Sequence, residues 1–210
     1  MVGLGRFGSA VALELEALGH EVLVIDASED AVQHYASLVT HAVEGDATDA
    51  EVLTNLGVPD LSHAVVAIGD DIESSILATA AISDLGVPNV WAKAATTAHA
   101  SILERVGADH VVFPEGDMGR RVAHRVTGQI IDYIQVDDDF ALVETRPPAA
   151  HLGKTLQEAQ LRAAYEVTVV SVKPLGGHFT YATPDTRLDE GSILLVAGSN
   201  RAVERFARTT

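Results

Sequence analysis

The chain has 210 residues, and its 14 Lys and Arg against 30 Asp and Glu give a formal net charge of −16. That charge repels phosphate backbones and anionic headgroups, so we expect no nucleic acid partner and no direct binding to a membrane surface. With 47% hydrophobic residues, no Cys and no window near the roughly 20 apolar residues of a membrane span, the sequence predicts a globular, cytoplasmic protein of two domains without membrane insertion.

The first predicted domain, residues 1–116, alternates β-rich runs with helical patterns. Such alternation is typical of βαβ units, so the predicted fold class is α/β, a doubly wound, Rossmann-like parallel sheet of strand order 3-2-1-4-5-6. Only Met1 and Val2 precede Gly3, so the first strand is predicted to be very short or cut off at its start. The other five strands are predicted at 21–26, 41–46, 64–69, 89–94 and 110–115.

A bridging helix is predicted over residues 117–135, because Met118, Val122, Val126, Ile130 and Ile134 recur at four-residue spacing. After six strands the sheet should already be covered, so we expect part of this apolar stripe to be exposed and to form a dimer contact. Residues 136–210 carry β-rich runs and two short helical patterns, which predicts a second, smaller α+β domain.

Three glycines near the start of the chain match the dinucleotide-binding fingerprint. Gly3 would allow the tight strand-to-helix turn, Gly5 would let the backbone approach a pyrophosphate, and Gly8 would let helix and strand pack closely. Asp26 closes the next strand, where a carboxylate binds ribose hydroxyls and repels a 2′-phosphate, so NAD, ADP or ATP is favoured over NADP. The structural alternative is a glycine-rich turn followed by an ordinary strand-end Asp.

A dehydrogenase would also need a proton donor or acceptor near the ends of the later strands. The four tyrosines lack a Lys four residues on, and the strand ends around Ala67, Gly69 and Ala92 carry small, inert side chains. Lys93 is the exception, with two interpretations: a contact to a nucleotide phosphate, or an exposed Lys at a strand end. A small NAD-dependent oxidoreductase therefore remains the alternative function rather than the favoured one.

Two carboxylates stand at the end of the last predicted strand of the first domain and just past it. Glu115 and Asp117 lie where the ends of parallel strands face a ligand crevice, so they are candidates for a divalent cation. Acids in this position are also common at helix N-termini, where Asp117 would cap a new helix. The nine His lack the spacing of a metal-binding pair, so we expect no His-based metal site.

The ordered set of these motifs resembles a known family. The run GLGRFG, Asp26, the segment GDAT (45–48), the strand AVVAIGDD, NVWAKA and FPEGDMG resemble the N-terminal (TrkA-N) domain of RCK proteins, the regulators of potassium conductance. The segment GKTL (153–156), VTVVSVK and DEGSILLVAG resemble the RCK C-terminal (TrkA-C) domain. The likeness is greatest to the cytosolic gating subunits of Ktr and Trk potassium uptake systems.

This resemblance implies a non-enzymatic, cytosolic sensor of ATP and ADP, or of NAD and NADH. In the family, such chains form dimers and an octameric ring that docks on the inner face of a membrane potassium channel or transporter and gates it. The resemblance assigns Glu115 to a divalent cation, Mg²⁺ or Ca²⁺, at the dimer contact. It assigns to the nucleotide Gly3, Gly5, Arg6, Phe7, Gly8, Asp26, Asp46, Ala47, Thr48, Ala67, Gly69 and Lys93. Among these, Arg6 would reach the terminal phosphate, and residues 46–48 would lie by the adenine.

In many relatives the second domain forms a dimer pocket for cyclic di-AMP. Here the sequence departs from the family pattern, because Pro174 stands where an Arg often follows the Lys, and Ser192 stands where an Asp often follows the Gly. Lys173 and His178 remain candidate phosphate contacts. The alternative for both is an ordinary surface strand and its hairpin.

Overall fold

The structure is a computed structural model, and it describes residues 1–126 and 128–210. The chain divides into two compact units, Met1–Glu115 and Gly116–Thr210. Within the described residues, none of the helices combines the length and the hydropathy that crossing a membrane requires.

The first unit is built around a parallel sheet. Its five strands are β1 (Leu23–Asp26), β2 (His41–Glu44), β3 (Ala64–Val66), β4 (Val90–Lys93) and β5 (His110–Val112). Val2 bridges in parallel to Ile25 on β1 and to Val66 on β3, so this single residue takes the place of the first strand. The order across the sheet is β2-β1-Val2-β3-β4-β5, which confirms the predicted order 3-2-1-4-5-6.

Helices cross over between the strands and cover the buried Val and Ile side chains of the sheet. All of them except the first begin after a residue whose side chain accepts a hydrogen bond from a backbone N–H of the first turn. These helices are α1 (Arg6–Ala17), α2 (Glu29–Tyr35), α3 (Ala50–Asn55), α4 (Ile72–Asp84) and α5 (Thr97–Arg105), with a 3₁₀ turn at Val58–Asp60.

The predicted bridging helix is wrong in its second half. The helix α6 covers Pro114–Val126, Gly128 then takes a φ of +76°, and Ile130–Asp137 form the strand β6. Thr127 lies outside the described residues. Side chains four residues apart lie on one face of a helix, but they also lie on one face of a strand, because the side chains of a strand alternate with a period of two residues. The run of β-branched and aromatic residues after Gly128 therefore forms a strand instead of continuing the helix.

The second unit is an antiparallel sheet with short helices. Its strands after β6 are β7 (Phe140–Thr145), β8 (Thr168–Lys173), β9 (Thr180–Tyr181) and β10 (Ile193–Gly198), in the order β6-β7-β10-β8-β9. The helices are α7 (Leu156–Ala159), α8 (Leu161–Tyr165) and α9 (Asn200–Ala207), with a 3₁₀ turn at Ala149–His151. Phe206 of α9 is fully buried against the sheet. The predicted α+β character of this part is confirmed.

One histidine of the first unit is buried in the fold. His99 on α5 is 2% exposed, and its Nδ1 accepts a hydrogen bond from the backbone N–H of Ala95 at 3.3 Å. Its Nε2 finds no hydrogen-bond partner among the described residues. Burial lowers the pKa of His99 because the charged ring would lose its hydration. The folded chain therefore holds this ring neutral.

We expect the free energy of unfolding to fall as the pH drops from about 7 to 5, because the unfolded chain protonates His99 near the ordinary pKa of about 6.5 while the folded chain does not. His99→Asn keeps an acceptor near the Ala95 N–H but removes this titration, so its stability should depend less on pH. His63→Asn, at an exposed ring, is the matched control. Denaturant unfolding across this pH range measures the effect, and equal pH dependence in both variants would contradict it.

Candidate functional site

The glycine turn lies where the short first strand enters α1. Gly3 has a φ of +91°, a conformation that L side chains rarely adopt, and a Cβ there would lie 3.2 Å from the backbone carbon of Ala67. A Cβ on Gly8 would lie 1.9 Å from the carbonyl oxygen of Gly3, so only glycine lets α1 approach the turn this closely. Gly5 faces open space, because a Cβ on it would have none of the described atoms within 4 Å beyond its chain neighbours.

The N-terminus of α1 differs from those of the next four helices. Gly5 is its N-cap and has no side chain to accept from the first-turn N–H groups, and Arg6 is exposed while Phe7 is partly buried. The first turn also lacks acidic residues. By contrast, side chains cap α2 to α5, from Ser28, Asp49, Asp71 and Thr96. Free N–H groups and the helix dipole at an uncapped N-terminus favour an anion such as a phosphate.

Asp26 connects the end of β1 to this turn. Its Oδ2 accepts from the backbone N–H of Leu4 at 2.5 Å, and its Oδ1 accepts from the N–H of Ser28 at 2.8 Å. Each carboxylate oxygen has a further lone pair. The partly buried carboxylate therefore fixes the glycine turn and still has capacity to accept from a ligand hydroxyl.

The loop after β2 lies next to Asp26, because the N–H of Gly45 donates to the carbonyl oxygen of Asp26 at 3.0 Å. Asp46 Oδ1 accepts from the N–H of Thr48 at 2.9 Å and from its hydroxyl at 2.7 Å. These hydrogen bonds lower the pKa of Asp46. Ala47 between them is buried. The structure thus places three sets of predicted residues at one end of the sheet: the glycine turn, Asp26 and residues 46–48.

The ends of β3, β4 and β5 form the other half of this edge. Ala67 is buried, and its N–H donates to the carbonyl oxygen of Val2 at 2.7 Å. Lys93 Nζ lies 2.7 Å from Glu115 Oε1, and the side chains are 13% and 63% exposed. The interpretation of Lys93 as an exposed strand-end Lys is therefore wrong, because this side chain is mostly buried and ion-paired.

The Lys93 hydrogen bond and, less strongly, the charge of Arg6 hold the pKa of the Glu115 carboxyl below its ordinary value. Glu115 is thus an anion close to two cations of the same site. Its pairing with Lys93 was not predicted from the sequence, which showed only that both residues lie near strand ends.

A divalent cation needs more ligands than Glu115 alone supplies. Among the described residues, no group of three His, Asp or Glu side chains is arranged to hold a metal ion. Asp117 pairs with Arg120 at 2.5 Å and lies inside α6 rather than capping it, so its predicted capping role is wrong. Glu115 alone therefore does not make a cation site, and a cation there would need further oxygen ligands, such as water, a nucleotide or a second copy of the chain.

The second unit has a cavity of about 610 Å³ that sequence reasoning missed. It lies between the α7–α8 segment, the start of β8 and the segment at 182–184. Arg162 is at this cavity and donates to Thr168 Oγ1 at 3.0 Å. The two predicted phosphate contacts do not line it: Lys173 lies over the ring of Phe179, 5.8 Å from its centroid, and His178 follows on the same hairpin.

Comparisons with known proteins agree with this architecture. The TrkA-N domain family matches residues 1–114, and the TrkA-C domain family matches residues 141–210. The chain is 37% identical over 209 residues to Ktr system potassium uptake protein C of Bacillus subtilis (strain 168), covering 99% of this chain and 95% of that protein. It is 35% identical over 201 residues to Ktr system potassium uptake protein A of Vibrio alginolyticus, covering 94% and 90%.

The fold is similar to that of a solved structure, the GsuK RCK domain, with a TM-score of 0.65 and 20% identity. The match covers 99% of this chain and 46% of that longer chain. These findings confirm the resemblance seen in the glycine turn, the GDAT segment and the second domain. The chain therefore belongs to the family of RCK proteins that carry a TrkA-N and a TrkA-C domain, which includes the Ktr potassium uptake proteins.

Proposed function

We propose that this chain is a cytosolic regulatory subunit that binds an adenine nucleotide and thereby controls a potassium channel or transporter in the membrane. The observation that carries the proposal is the uncapped N-terminus of α1 beside the Asp26 carboxylate, which offers phosphate and ribose partners at one end of the sheet. The similarity to Ktr potassium uptake proteins along nearly the whole chain supports the role in potassium transport.

The proposed ligand is ATP or ADP, with NAD or NADH as the alternative. Asp26 disfavours a 2′-phosphate by charge repulsion, and the loop of Asp46, Ala47 and Thr48 is adjacent to Asp26, where the adenosine would lie. Because ATP and ADP differ by one phosphate, only a group that contacts that phosphate can favour one conformation of the assembly over another. The exposed Arg6 on the first turn of α1 is that group in this proposal.

Sensing rather than catalysis is favoured by the state of the titratable groups at the later strand ends. Lys93 and Glu115 neutralise each other across 2.7 Å, so neither is a free acid or base for hydride chemistry. Turnover of NADH with a carbonyl substrate would instead support the alternative, a small NAD-dependent oxidoreductase.

The proposed assembly is a homo-oligomer, a dimer and then an octameric ring, peripheral to the inner face of the membrane through its channel partner. In support, α6 exposes Met118, Val122 and Val126, the last of them 78% exposed. Covering such an apolar stripe with a second copy removes it from water and stabilises the assembly. In such a dimer the partner would supply the further oxygen ligands that a Mg²⁺ or Ca²⁺ at Glu115 requires.

The cavity of the second unit is the proposed site for cyclic di-AMP. Its volume and its mixed apolar and polar lining suit a nucleotide, and Arg162 supplies a cation for a phosphate. Cyclic di-AMP carries two phosphates related by symmetry, so two copies of the chain would each contribute one Arg162.

Calorimetric titration in EDTA buffer tests the nucleotide site. We expect the chain to bind ATP and ADP. Arg6→Ala should lower the affinity for ATP by about tenfold or more, because a charge-assisted hydrogen bond to the terminal phosphate is lost, while the affinity for ADP should change little. Arg201→Ala, at an exposed Arg of the second unit, is the matched control. An unchanged ratio of ATP to ADP affinity in Arg6→Ala would contradict the role proposed for Arg6. Failure of the original chain to bind any nucleotide would contradict the proposed function itself.

Light scattering tests the assembly. We expect a mass of at least twice the chain mass of 22.1 kDa, and a lower mass for Val122→Asp because a buried unpaired charge opposes association. Val136→Asp, at another exposed Val, should assemble as the original chain does. A monomeric original chain would contradict the proposed dimer.

Competition between labelled and unlabelled cyclic di-AMP tests the second site. We expect saturable binding that Arg162→Ala weakens by about tenfold or more through loss of a charged phosphate contact. Lys173→Ala should bind normally, because Lys173 does not line the cavity. Loss of binding in Lys173→Ala with retention in Arg162→Ala would place the ligand at the hairpin instead.

A further inference from the structure

A second cavity of the Gly116–Thr210 unit lies where α6 ends and β6 begins. We call it the α6–β6 cavity, and its volume is about 390 Å³. Its lining includes four apolar residues and two cations, namely Val122, Val126, Ile130 and Ile131 with Arg125 and Arg146. Val126 is 78% exposed, so much of the apolar lining faces solvent in a single chain.

The two Arg of this cavity have no carboxylate partner. Both are exposed, and among the described residues the ion pairs of this unit involve other cations. Arg121, one turn earlier on α6, binds both carboxylate oxygens of Asp132 and holds the pKa of that carboxyl below its ordinary value, with a smaller effect from the charge of Arg125. The cavity thus combines apolar surface with unpaired cations, which suits a partner that is both apolar and acidic.

The opposite end of β6 has that chemistry. The turn from β6 to β7 presents three successive exposed carboxylates, Asp137, Asp138 and Asp139. They stand between Val136 and Phe140, which are 57% and 44% exposed. We call residues 136–140 the acidic hairpin. Among the described residues, none of its carboxylates forms an ion pair.

The backbone of the acidic hairpin is held in place by side chains of its own chain. Gln135 Nε2 donates to the carbonyl oxygens of Asp137 and Asp138 at 3.2 and 3.3 Å. Asn200 Nδ2, at the start of α9, donates to the same Asp138 oxygen at 3.0 Å. The hairpin therefore has little conformational freedom to lose when it binds a partner.

The strand β6 separates the cavity from the hairpin. Its eight residues, Ile130–Asp137, span about 23 Å at about 3.3 Å per residue, so the hairpin cannot reach the cavity of its own chain. In the order β6-β7-β10-β8-β9 it is an edge strand, with no described strand beyond it. A two-fold axis beside the middle of β6 would place each hairpin at the cavity of the other copy, so both contacts would form together.

We propose that a second copy of this chain inserts its acidic hairpin into the α6–β6 cavity, in a reciprocal two-fold contact along β6. The hairpin carboxylates pair with Arg125 and Arg146, and the hairpin covers Val122 and Val126. This inference rests on the proposed homo-oligomer and identifies the segment that covers the end of the α6 stripe.

Disulfide cross-linking of the full chain tests the contact, because the chain has no Cys of its own. Val126→Cys with Asp138→Cys places one thiol at the cavity and one on the hairpin. Within one chain they lie far beyond the roughly 7 Å between Cα atoms that a disulfide allows. We expect oxidation to give a product of twice the chain mass of 22.1 kDa on a denaturing gel. Val126→Cys with Asp185→Cys, at an exposed Asp outside the hairpin, should stay at the chain mass.

Charge reversal in the same double-Cys chain tests the pairing. Arg125→Glu with Arg146→Glu should lower the cross-linked fraction by about tenfold or more, because like charges then meet. Asp137→Lys with Asp139→Lys should do the same. Mixing the two charge variants should restore the cross-link, since Glu cavities then meet Lys hairpins and Arg cavities meet Asp hairpins. Val136→Asp adds a carboxylate to the hairpin, which the cationic cavity does not oppose, so it should cross-link as before.

The restored cross-link is the decisive result, because mixing does not rescue misfolded chains. If the original chain is a monomer by light scattering, the proposed assembly fails and this contact fails with it. If it is an oligomer but the double-Cys chain stays at the chain mass, or if mixing restores nothing, the assembly stands and this contact is overturned. A ladder of products longer than a dimer would overturn the two-fold arrangement. Calorimetric titration with nucleotides tests the proposed sensor role separately from all these outcomes.

Discussion

The first unit depends on backbone hydrogen bonds made by its first three residues. Val2 donates to Val65 and accepts from Ala67, while Gly3 donates to Ile25, at 2.7 to 2.9 Å. These bonds join β1 and β2 to β3, β4 and β5, which otherwise form separate two- and three-stranded sheets. The same stretch continues into the glycine turn and α1. The continuity of the sheet and the geometry of the candidate phosphate site therefore come from one short segment.

The strand order could be predicted because each β-rich run is separated from the next by one helical pattern, and parallel crossovers allow few arrangements. The second half of the bridging helix could not, since the spacing of Ile130 and Ile134 fits a strand as well as a helix. Likewise, the sequence places Lys93 and Glu115 near strand ends, but their contact depends on side-chain reach and on the missing side chain of Gly69. The cavity at Arg162 lies between the α7–α8 segment, the start of β8 and residues 182–184, which no local sequence pattern brings together.

The candidate site contains cationic groups, whereas the chain as a whole is strongly negative. A net charge of −16 repels nucleotides at long range, so an anionic ligand must be attracted locally. In the proposed nucleotide site, Arg6, Lys93 and the N-terminus of α1 would supply that attraction at one edge of the sheet, where Glu115 is the anion paired with Lys93. Such a site would hold a nucleotide by short-range contacts and would gain little from long-range steering.

Glu115 is the last residue of the first unit, and Gly116 is the first of the second. Its carboxylate is bound to Lys93 at the end of β4, and its backbone belongs to α6, which continues into the second unit. The ion pair between Lys93 and Glu115 therefore anchors the last residue of the first unit to the end of its own sheet, one peptide bond before the second unit begins.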